Sequence, residues 1–228
     1  MLAQVVLFDG FDPLDVIAPY EVLALGATLT DDPLEVELVT AEGPREVPSG
    51  LAAVSLRATA RLDPARADLV VVPGAAGTLA DGEPDEGSVL GRLGRAARGE
   101  LAGLLAEALE RRDVLVATVC GGSVLLAMAG LIRGRSATGH RLGLGALAGA
   151  GVRALDARVV DDGDLVSSSS VTSGLDLGLY LLERLVGPRV AVEVERFTAH
   201  ERRGTVWRPV GAEPLVTTGP GTGGPARR

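Results

Sequence analysis

The sequence predicts an α/β fold in which a largely parallel sheet is covered by helices on both faces. Three runs carry that prediction: "AQVVLF" (residues 3–8), "DLVVVPGAAG" (68–77) and "VLVATV" (114–119). Each holds a strand-length apolar core and leads into a glycine-containing turn, as a strand buried on both faces requires. Stretches of helical periodicity separate them, and strands that alternate with helices pair in parallel through crossovers.

The remaining elements follow along the chain. Asp12 before Pro13 is a helix-start signal. Leu14, Ile17, Val22 and Leu25 then recur near helical spacing, and Pro19 is expected to kink or restart that helix. "LEVELVT" (34–40) alternates apolar and polar residues as a strand does, and residues 51–56 suit a small hairpin or edge structure. Residues 81–99, rich in glycine with scattered charges, read as a mobile insertion or loose helix. Leu101, Leu104, Leu105, Ala108 and Leu109 mark one helical face. A helix follows residue 120 to about Ala129, where Gly130 is its stop signal. "ARVVDDGDLVSS" reads as a hairpin turning at Asp162-Gly163. In "SSSSVTSG" (167–174), Thr172 or Ser173 is a candidate N-cap for "GLDLGLYLLERLVG", a helix closed by Gly187-Pro188. "RVAVEVERF" (189–197) fits a strand by its valines and a helix by the spacing of Val190, Val194 and Phe197. His200, among charged residues, is expected to be exposed. The closing "VTTGPGTGGPARR" carries too little apolar surface to pack and is expected to be disordered. One domain over residues 1–208 with a flexible tail over 209–228 is the organisation expected.

Composition narrows the function classes. Of 228 residues, 46% are hydrophobic and 23% charged, an ordinary globular balance, and 3% aromatics leave the core to Leu, Val and Ala. A net charge of −8 argues against nucleic acid or an anionic membrane as partner, since either needs clustered Lys and Arg. No run approaches the roughly 18 apolar residues of a membrane span. The opening "MLAQVVLFDG" lacks the basic region and cleavage site of a signal peptide. A single cysteine excludes an intrachain disulfide and fits a reducing cytoplasm, the location expected. "PGAAG" lacks the Gly-Lys-Ser/Thr of a phosphate loop, and one cysteine with two distant histidines makes a poor zinc site. No cofactor is expected.

Chemistry concentrates at that cysteine, Cys120, in "DVLVATVCGGSVLLAMAGLIRGR". It stands where a predicted strand turns into a predicted helix, the place where ligands gather in open α/β sheets. Free backbone N–H groups and the positive helix end favour a thiolate there, and Gly121 and Gly122 permit a tight turn. The other reading is a small buried hydrophobe, common for free cysteines. The position, with paired glycines, favours the reactive reading. Gly74 and Ala75 follow the 70–72 strand and could aim N–H groups at the same crevice, as an ordinary βα turn also would. Asp15 by itself fits a solvated carboxylate in a first helical turn.

These segments resemble the DJ-1/PfpI superfamily on its isonitrile hydratase-like branch. The resemblance rests on "LFDGFDPLDVIAPYEVL", "LVVVPGAAG", "ATVCGGSVLLAMAGLIRGRSATGH" and "SSVTSGLDLGLYLLERLVG", in order and spacing over residues 2–208. It implies a flavodoxin-like three-layer sandwich with the cysteine on a strained elbow. It also implies a carboxylic acid from the opening segment beside the sulfur, at Asp15, with Asp9 and Asp12 weaker matches. Such an acid, shielded from water, keeps its proton and can pass it to substrate. Gly121 departs from the threonine usual in hydratase-like members and the histidine of PfpI-type proteases, which argues against protease chemistry through that neighbour. His140 in "SATGH" matches a histidine common in the branch. The implied activity is cofactor-independent hydration of a small-molecule isonitrile, with Cys120 as nucleophile, Asp15 as proton carrier, and Gly74, Ala75, Gly121 and His140 around the substrate. A glyoxalase-like enzyme and a non-catalytic ligand or redox sensor are the rivals, and a homodimer is the implied assembly.

Overall fold

The computed structural model describes residues 1–79 and 85–212. The chain enters through β1 (Leu2–Val6), passes along α1 (Pro13–Ala27) to β2 (Glu35–Thr40), and forms a hairpin of β3 (Arg45–Pro48) and β4 (Ser55–Ala58). A short β5 (Ala60–Arg61) precedes β6 (Leu69–Val72), from which α2 (Val89–Arg98) and α3 (Glu100–Glu110) lead to β7 (Leu115–Val119) and α4 (Gly122–Met128). Then come β8 (Ser136–Ala137), a 3-10 turn at Arg141–Gly143, α5 (Leu144–Gly149) and β9 (Arg153–Ala154). The hairpin of β10 (Val159–Asp161) and β11 (Leu165–Ser168), with α6 (Ser173–Leu185) and α7 (Pro188–Thr198), completes the series.

Seven strands form the main sheet in the order β10-β11-β7-β6-β1-β2-β5, parallel except where β10 meets β11. Every residue of β1, β6 and β7 is buried, which is why these runs read as unbroken apolar stretches. Helices pack in two groups, α1 with α6 and α7, and α2 with α3 and α4, so the sheet lies between two helical layers. From β1 the chain first moves to β2 on one side and then to β6 on the other. That reversal opens a crevice beyond the carboxyl ends of β1 and β6, where loops can meet a ligand.

Several local expectations are corrected. Helix α1 runs unbroken through Pro19. Proline forfeits one helical hydrogen bond, but here its ring packs into a notch on α6: a Cβ at Gly174 would lie 3.0 Å from Pro19 Cδ, and one at Gly178 would lie 2.8 Å from Val22 Cβ. Packing across the chain outweighs the local penalty. Residues 189–197, which fitted a strand or a helix, lie within a helix, α7. The stretch read as loose forms α2 from Val89, capped by Ser88 Oγ accepting from Gly91 N–H, with Arg95 and Arg98 in its last turn; residues 80–84 lie outside the described residues. So do residues 213–228, which include the whole stretch expected to be disordered (216–228) and most of the expected flexible tail (209–228).

His200 is also corrected. Its side chain is 18% exposed, with Nε2 3.5 Å from Asp176. Asp176 accepts from Arg158 at 2.6 Å and from Arg203 N–H at 2.6 Å. Beyond it Trp207 pairs with the outer edge of β10, donating to Val159 O at 3.0 Å and accepting from Asp161 N–H at 2.9 Å. The segment after α7 thus covers an edge that would otherwise expose unpaired backbone.

Candidate active site

Cys120 caps the carboxyl end of β7, and its φ of 57° places a non-glycine residue in the left-handed region. A side chain held there costs on the order of 1–3 kcal/mol and persists only when its surroundings enforce it. They do: Cys120 N–H donates to Ser168 O at 3.2 Å, and Cys120 O accepts from His140 N–H at 3.1 Å. Below the elbow, the Thr118 and Ser123 hydroxyls bond at 2.6 Å, tying the end of β7 to α4. Close approach explains the glycines. A Cβ at Gly122 would lie 2.2 Å from Val72 O, and one at Gly74 would lie 2.5 Å from Gly121 N.

Asp15, in the first turn of α1, is fully buried against this elbow. Its Oδ2 accepts from Gly74 N–H at 2.9 Å, whereas Oδ1 has no hydrogen-bond partner among the described residues. Burial pushes the Asp15 carboxyl well above the usual carboxylate range, and the Asp12 charge adds to the shift; Gly74 N–H and the Cys120 thiol oppose it. Of the three acids considered, Asp15 alone is fully buried beside the Cys120 thiol. Asp9 is exposed and pairs with Arg45 at 2.7 Å, and Asp12 caps α1 by accepting from Leu14 N–H at 3.0 Å.

The thiol departs from expectation. Burial pushes the Cys120 thiol up, the Asp15 and Asp12 charges push it further, and the Val171 and Gly121 N–H groups pull it down. The depressed thiolate expected from a helix end is therefore reversed. With a proton on Asp15 its charge no longer contributes, and the two N–H donors act mainly against burial.

A cleft of about 540 Å³ opens over the sulfur, lined by Asp12, Ala75, Ser88, Leu93, His140 and Val171 among others. Ala75 N–H has no partner among the described residues and stands on its wall. Gly74 is different: its N–H is committed to Asp15, so it positions the acid and is not free for substrate. Gly121 N–H favours the ionised form of the Cys120 sulfur. His140 Nδ1 accepts from Leu142 N–H at 3.2 Å, so a neutral ring carries its proton on Nε2. The serines of 167–170 hold loops instead: Ser167 Oγ accepts from Thr138 N–H, Ser168 Oγ donates to Thr118 O, and Ser170 Oγ accepts from Arg141 N–H. Among the described residues no three His, Cys, Asp or Glu side chains converge as metal ligands.

A model of the DJ-1/PfpI family matches residues 91–184. An isonitrile hydratase of Pseudomonas putida is 31% identical over 191 residues, spanning 83% of this chain and 74% of that protein. The chain belongs to the DJ-1/PfpI family. Solved structures agree on the fold. Drosophila melanogaster DJ-1beta superposes with a TM-score of 0.72 at 22% identity, covering 88% of this chain and 98% of its own. A ThiJ/PfpI family protein from Pseudomonas syringae gives 0.72 at 24% identity, covering 89% and 76%.

Two residues of this DJ-1/PfpI site escaped the sequence reading. Val171 lines the cleft, and its N–H favours the ionised sulfur, from a stretch whose hydroxyls drew attention instead. Leu93, buried on α2, fills the space beside Gly121: a Cβ at residue 121 would lie 3.2 Å from Leu93 Cδ1 and 3.2 Å from Gly74 Cα. The spacing of Leu90, Leu93 and Ala97 was the signal for that helix face.

Proposed function

We propose that this protein hydrates an isonitrile to an N-substituted formamide, with Cys120 as nucleophile and Asp15 as proton carrier. The reading is carried by one observation: a fully buried acid set against a cysteine in left-handed backbone at the floor of a cleft. Burial favours the neutral form of both groups. That suits an isonitrile, whose terminal carbon accepts a proton as the sulfur bonds to it. The thiol proton passes to that carbon by way of Asp15, the C–S bond forms, and R–N=CH–S–Cys120 results. Water then adds to the same carbon and a proton goes to nitrogen. The C–S bond breaks, sulfur regains a proton, and R–NH–CHO leaves. One water is consumed and nothing is oxidised or reduced. Ala75 N–H and His140 Nε2–H are the donors for charge developing on substrate, because Gly74 is occupied by Asp15. The 31% identical isonitrile hydratase supports the same chemistry.

A rival reading is a non-catalytic peroxide sensor, which selective oxidation of Cys120 by peroxide without turnover of isonitrile or methylglyoxal would favour. The test is product identification. Incubation with an alkyl isonitrile should yield the formamide by NMR, and methylglyoxal should remain unconsumed. Conversion of methylglyoxal with no formamide formed would replace this reading by the glyoxalase-like one. The homodimer implied by the resemblance belongs to the same reading, and light scattering against the 23.3 kDa monomer mass tests it.

A further inference from the structure

The cleft is far larger than the reacting group needs. An isonitrile carbon and nitrogen, or a three-carbon aldehyde, would leave most of the roughly 540 Å³ unfilled, and drug-sized ligands occupy sites of about 300–1,000 Å³. Most of what lines the remaining space is apolar, with Asp12, Thr78, Ser88 and His140 as the polar side chains. Among the described residues, eleven large hydrophobic side chains are exposed, and four of them, Leu51, Leu79, Leu90 and Leu142, line this one cleft. They come from four separate segments: the β3–β4 connection, the loop beyond β6, the start of α2 and the 3-10 turn. Exposed apolar side chains are ordinary when scattered and informative when they converge. Deeper in, Leu93 and Val124 continue the same surface toward the sulfur. The charge pattern is equally one-sided. No Lys or Arg side chain lines the cleft among the described residues, and Asp12 supplies a carboxylate close enough to act on both Asp15 and Cys120.

We infer that the cleft selects a neutral substrate with a bulky apolar group next to its reacting end, held by the leucines at its mouth, and that it rejects carboxylate- and phosphate-bearing compounds. This rests on the reading of Cys120 as the reacting group and adds the class of molecule that reaches it. An anion would enter beside Asp12 with no cation to receive it. Each methylene that leaves water for the leucine surface should raise the rate of capture by about fourfold, the transfer free energy of a buried CH₂ expressed as a ratio.

The test uses the single cysteine and is independent of turnover. Second-order rates of Cys120 alkylation are measured with N-methyl-, N-ethyl-, N-butyl- and N-hexylmaleimide, and with iodoacetamide against iodoacetate, each divided by its rate with glutathione. The expected result is a normalised rate that climbs about three- to fourfold per methylene up to butyl, with iodoacetate suppressed at least tenfold relative to iodoacetamide. The double variant Leu51→Asn, Leu142→Asn, altered only at exposed positions, should flatten the climb. A normalised rate that stays within twofold across the series, or a double variant with an unchanged climb, would overturn the inference. Turnover of n-butyl isonitrile is assayed separately. A climb without turnover leaves this inference standing and removes the hydratase reading; turnover without a climb does the reverse.

Discussion

Asp15 and Cys120 share one dry corner, and the proton each retains there is the source of the proposed reactivity. Folding raises the Asp15 carboxyl above its value in the unfolded chain, so the native state holds that proton more tightly. The resulting stability is fully present below the ordinary carboxylate range and is lost as pH rises through the raised value. Asp15→Asn removes this loss. Melting temperatures measured from acidic to alkaline pH should therefore fall less in the variant than in the parent, while isonitrile turnover drops by about 10²- to 10⁴-fold because the proton carrier is gone. At this scale the sequence was informative about identity and misleading about ionisation. Cys120 stood out by its two glycines, and Asp15 by its place in the opening motif. The direction of the thiol shift depends on how much water the finished fold leaves around the sulfur, which a string of residues does not state.

Two helices hold that corner together. Helix α1 carries Asp15 and seats Pro19 and Val22 against Gly174 and Gly178 of α6. Gly178→Ala should force the helices apart, lowering stability by about 1–3 kcal/mol in urea titration, and should lower turnover because Asp15 moves with α1. Helix α2 presses Leu93 onto the elbow at Gly121. Gly121→Thr should destabilise by a similar 1–3 kcal/mol, and by measurably less in a Leu93→Ala background, a coupling that a double-mutant cycle reads directly. The fully buried strands were legible as elements because both faces demand apolar residues. The restart expected at Pro19 does not occur because the rule for proline is local, whereas the notch that accepts it lies on α6. Helix α2 was missed as an ordered element because its glycines lower helix propensity, and its packing partner at Gly121 lies far along the chain.

For the whole molecule, closure of the sheet edge completes the fold. The segment after α7 crosses to β10, where Asp176 gathers Arg158, Arg203 N–H and His200, and Asp161 accepts from Tyr180 and Arg184. Arg208 lies over the Tyr180 ring, 5.5 Å from its centroid. Asp176→Asn leaves a largely buried guanidinium without its carboxylate and should cost about 2–4 kcal/mol, with faster proteolysis of the C-terminal segment. The sequence showed a charged, apolar-poor stretch there and no sign that it pairs with β10, since edge pairing by a few residues leaves no periodicity. Among the described residues no helix is long and apolar enough to cross a membrane.

Turnover of an alkyl isonitrile by the Cys120→Ala variant tests the proposed chemistry most directly, with circular dichroism and melting temperature confirming that the variant is folded. Formamide production should fall to the uncatalysed rate. A folded Cys120→Ala protein that produces formamide as fast as the parent would contradict sulfur as the nucleophile.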